Sequence, residues 1–81
     1  MAKIMNINIK EFSERFTEEY NYLYDSDVYV AGSNEAAEAF DEFAENHREF
    51  VNEFAKYRGD FISSDREAAA FMFALSSFVD Q

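Results

Sequence analysis

Residues 34–58, NEAAEAFDEFAENHREFVNEFAKYR, decide how this chain folds. Ala36, Phe40, Phe43, His47, Phe50, Phe54 and Tyr57 recur at alternating steps of four and three, the repeat of one helix face. Ala37, Ala44 and Val51 widen that face into the stripe of a core-facing helix. Opposite stand Glu35, Glu38, Glu42, Glu45, Glu49 and Glu53, with Asp41 beside them. The spacing predicts one continuous helix, capped by Ser33 or Asn34 and ended at Gly59 by a left-handed residue. Such a helix would be roughly 36 Å long.

Two further helices are predicted around it. Ile9, Phe12, Phe16, Tyr20 and Leu23 follow helical spacing over about residues 8–24, with Asn8 as cap, Glu11 three residues later and Ile7 able to staple onto Phe12. Ser64 and Glu67 form a second capping box opening a helix over 65–79. The run Ala68 to Leu75 leaves that helix almost no polar face, so it belongs at the centre of a bundle or in a contact between subunits through Phe71, Phe73 or Phe78.

The expected fold is therefore an all-α three-helix bundle forming one domain over residues 1–81, with a short extended segment near 28–30. An α+β alternative pairs residues 4–9 with 28–30 as a two-stranded sheet, a weak unit by itself. Absence of proline and the presence of two glycines favour long helices over a turn-rich β architecture. Ten Phe and five Tyr let a chain of 81 residues bury enough apolar surface to fold.

Chemistry is hard to find. There is no cysteine, hence no disulfide and no thiolate site. His47, the one histidine, lies on the apolar face and is expected as a partly buried, hydrogen-bonded core residue. A di-iron Glu-x-x-His frame needs a carboxylate where Ala44 stands. Nucleophilic triads, phosphate loops and zinc sites each lack parts. Neither an enzyme nor a cofactor or metal site is expected. The beginning of the chain lacks the apolar core of a signal peptide, and its longest apolar run is too short to span a bilayer, so a cytoplasmic protein without membrane contact is expected.

Charge is the distinctive property. Seventeen acidic and seven basic residues give a net charge of −10, which disfavours direct nucleic-acid binding and favours a basic partner. The acidic row sets like charges three or four residues apart, a repulsion of about 2 kcal/mol before screening. Only Glu45–Arg48 and Glu53–Lys56 offset it. One reading is a solvated face. The other is a copy of a nucleic-acid strand, since the six glutamates would be spaced about 4.5 Å apart against about 3.4 Å for DNA phosphates. Glu11, Glu14 and Glu18 could form a second line. Tyr22, Tyr24 and Tyr29 cannot all point inward; with Asp25 among the flanking carboxylates they read as exposed aromatics at the edge of the surface, or as rings lying flat over the end of the bundle.

In physical type the chain resembles DNA-mimic proteins of phages and mobile elements, though no family motif carries the likeness. That resemblance implies an inhibitor of a basic nucleic-acid-binding protein, of the anti-restriction or anti-CRISPR kind, acting in the host cytoplasm. Glu35, Glu38, Asp41, Glu42, Glu45, Glu49 and Glu53 would carry the contact, with Tyr22, Tyr24 and Asp25 at its edge. Two alternatives stay open: a helical adaptor acting by helix–helix association, with a possible homodimer through the third helix, and an immunity protein for a nuclease toxin.

Overall fold

The computed structural model describes residues 7–25 and 33–79, leaving aside the side chains of 24, 25, 33, 34 and 79. It places four helices in that span: α1 (Ile9–Asp25), α2 (Ser33–Asn46), α3 (Arg48–Arg58) and α4 (Asp65–Val79). The all-α expectation holds and the count of three does not. The described residues contain helices and no strand, and Ile9, expected in one arrangement as strand, opens α1. Residues 28–30 lie outside the described residues.

Local signals fix the ends. Asn8 Oδ1 accepts from the N–H groups of Lys10 at 2.9 Å and Glu11 at 3.1 Å, satisfying donors that a helix start leaves open. Gly59, at φ 81°, ends α3, and the N–H groups of Gly59 and Asp60 both donate to the Ala55 carbonyl. At the start of α4 the Glu67 N–H donates to Ser64 Oγ at 3.1 Å, as the capping box requires.

The predicted 25-residue rod is broken. His47 adopts φ −133° and ψ 53°, outside the helical region, and separates α2 from α3. Its N–H still donates to the Phe43 carbonyl at 2.8 Å, closing α2, and its carbonyl accepts from the Val51 N–H at 3.2 Å, opening α3. The reason lies in α4. Phe71 is fully buried, and the rings of Phe40 and Phe54 lie 5.0 Å and 5.4 Å from its centre. Fourteen residues of unbroken helix would carry Phe54 about 21 Å beyond Phe40, further than two phenylalanine side chains can reach back to one ring. The break allows both halves to close on the same residue.

Phe71 also receives Phe12 at 4.9 Å, Phe43 at 5.6 Å and Phe50 at 6.0 Å. Phe12 in turn meets Phe50 and Phe54 edge-on at 5.1 Å and 5.2 Å. Most of these pairs are edge-to-face, the arrangement that adds to burial through the ring quadrupoles. Ala68, Ala69, Ala70 and Ala74 are buried beside Phe71, and their small size lets α1 and α2 both pack along α4. The nearly all-apolar helix is thus the centre of the bundle. Phe71 is fully buried, and Phe73 and Phe78 are partly buried against the core.

Two seam residues depart from expectation. His47 is exposed, not a core histidine; its ring rests 4.7 Å from that of Phe43 at the outer corner of the bend. Tyr57 is 51% exposed although Phe54, three residues earlier in the same helix, is fully buried; the core-facing side of α3 lies toward Ala55 instead.

Candidate functional site

The α2–α3 surface opposite the core carries Glu35, Glu38, Asp41, Glu42, Glu45, Glu49 and Glu53, all exposed. Their placement follows from the aromatic face: burying Phe40, Phe43, Phe50 and Phe54 turns the intervening residues outward. Among the described residues none of the seven has a Lys or Arg within ion-pair distance. The expected Glu45–Arg48 and Glu53–Lys56 pairs are not formed, although all four side chains are exposed and described. Held in water, such pairs gain little and cost side-chain freedom.

Arg15 and Arg58 serve other carboxylates. Arg15 binds Glu18 at 3.4 Å and Glu19 at 2.8 Å, which removes Glu18 from the proposed second acidic line. Glu11 and Glu14 remain exposed on α1. Arg58 Nη2 donates to Glu67 Oε2 at 2.9 Å, and the guanidinium also lies 4.9 Å from the Phe16 ring centre and 5.6 Å from that of Phe54. Burial would raise the Glu67 pKa. The Arg58 hydrogen bond, the Ser63 N–H and hydroxyl, and the Arg58 charge outweigh it, so the carboxyl titrates below its ordinary value.

The row is divided by the bend. Glu35, Glu38, Asp41, Glu42 and Glu45 share α2; Glu49 and Glu53 follow on α3 in a changed direction. A bend that closes on Phe71 opens on the solvent side, so the carboxylates form a convex, turning band rather than a straight rod.

Tyr22 is 59% exposed on α1, as expected of an edge residue. Tyr24 and Asp25 belong to the last turn of α1, with their side chains outside the described set. Sequence reasoning passed over Phe61, which is 68% exposed in the link after α3. Among the described residues, no three of His, Asp and Glu converge in a way that could hold a metal ion, and no helix is long and apolar enough to cross a membrane.

No family model, curated protein or solved structure matches this chain.

Proposed function

We propose that the protein is a stoichiometric inhibitor that docks its α2–α3 carboxylates in the phosphate-binding groove of a basic nucleic-acid-binding protein. An anti-restriction or anti-CRISPR protein would work in this way. The observation that carries this reading is the set of seven exposed carboxylates left without a cationic partner among the described residues, while Arg15 and Arg58 pair elsewhere. A groove that releases counterions from phosphates gains the same salt-dependent free energy from a band of carboxylates. Because a DNA strand winds about the duplex axis, the turn at His47 is compatible with a copy of it. An immunity protein for a nuclease toxin would use the same surface.

The test is a pull-down from the source cell, eluted by a salt gradient, followed by competition between the protein and duplex DNA for each recovered partner. A partner released by moderate salt, contested by DNA and lost on joint substitution E42K/E45K supports the reading. Binding that survives the charge reversal and is indifferent to DNA overturns it.

Exposed Phe61 and Tyr57 favour a second reading, an adaptor that associates through aromatic side chains, with a helix-mediated homodimer as one form. Its binding would hold or strengthen with added salt, the reverse of the first.

A further inference from the structure

We infer that the groove between the start of α1 and the outer side of α3 receives an arginine side chain of the basic partner. The inference rests on the inhibitor reading and names the partner group that one part of the surface takes. The groove is open to solvent and has a volume of about 360 Å³. Ile7, Ile9 and Phe50 give it apolar lining, and Glu49, Asn52, Glu53 and Lys56 complete it.

The three apolar residues are half-buried and the three charged ones exposed, so the lining is greasy at depth and charged at the rim. Glu49 and Glu53 are one helical turn apart and bind no cation among the described residues. The two carboxylates outnumber the one ammonium. This arrangement complements an occupant with an apolar stem and a cationic head. Lysine and arginine both bury their methylenes along apolar surface while the charge stays at the rim. Arginine fits better, because its planar guanidinium forms paired hydrogen bonds to carboxylates, which the ammonium of lysine cannot do. The Lys56 ammonium repels the incoming cation from its own position toward Glu49 and Glu53.

The probe is a hexa-arginine peptide, titrated into the full chain at low ionic strength and followed through backbone amide signals. The largest shifts are expected at Ile9, Phe50 and Glu53. Joint substitution E49Q/E53Q should weaken binding roughly three- to tenfold, K56M should strengthen it, and E38Q/E42Q should have a smaller effect. Hexa-lysine should bind more weakly. Shifts confined to the α2 carboxylates, no loss in E49Q/E53Q, or no peptide binding overturns the groove assignment, and equal binding of hexa-lysine overturns the choice of arginine. The inhibitor reading is judged separately by the salt-eluted, DNA-contested partner and survives any of these results.

Discussion

Arg58 Nη2 reaches Glu67 Oε2 at 2.9 Å, joining the last turn of α3 to the first turn of α4 across the link that carries Gly59. The other oxygen of the same carboxylate accepts from the Ser63 N–H at 2.8 Å and from the Ser63 and Ser64 hydroxyls. One side chain therefore caps α4 and holds α3 against it, with 13% of its surface exposed. Replacing Glu67 with Ala should lower unfolding free energy by about 2–4 kcal/mol, measured by urea denaturation. R58M should cost less, because Arg58 Nη1 is buried without a hydrogen-bond partner and methionine keeps contact with Phe16 and Phe54.

The same carboxyl predicts the response to acid. Its folded pKa lies below the ordinary 4.5, so the folded state favours the charged form. The resulting stability is complete above pH 4.5 and is lost as pH falls from there through the lower folded value. Wild type and E67Q should therefore differ most in melting temperature near neutral pH and converge as the solution is acidified. A difference that stays constant down to pH 2 would contradict this account.

Phe71 should be the least replaceable residue in the described core. F71A removes a fully buried ring that meets five others and should cost about 3–5 kcal/mol, a large share of the stability of a domain this size. F61A, at a surface position, should shift stability by less than about 0.5 kcal/mol. Chemical denaturation of the two variants gives the comparison directly.

The bend belongs to the packing around Phe71 rather than to the side chain at position 47. H47A introduces the best helix former and should still leave the chain bent. Spin labels at Glu35 and Lys56 would stand about 32 Å apart along an unbroken helix. A clearly shorter backbone separation is expected in wild type and in H47A alike. Straightening in H47A would show that the residue, not the core, makes the break.

The acidic band should be mildly destabilising when the protein is alone. E42Q/E45Q relieves like-charge neighbours on α2 and should raise the melting temperature by about one or two degrees at low salt. The gain should vanish as added salt screens the row. A melting temperature lowered by these substitutions would mean that the carboxylates have stabilising contacts within the fold.

The amino-acid sequence by itself determined what depends on neighbours along the chain. Asn8, Gly59 and Ser64 mark helix ends because caps and left-handed stops are local hydrogen-bonding events. Spacing of Phe40, Phe43, Phe50 and Phe54 divides core from surface and turns Glu35 to Glu53 toward water. Asn46-His47, two weak helix formers in succession, was a faint sign of the break, too weak to outweigh the unbroken periodicity. Only the tertiary structure decided that α2 and α3 separate, that His47 and Tyr57 face outward, and that Arg58 chooses Glu67 over a carboxylate on its own helix. The physical reason is shared: each outcome is set by α4, whose Phe71 and Glu67 meet α2 and α3 only once the chain has folded back, and no periodicity within 34–58 records where those partners will stand.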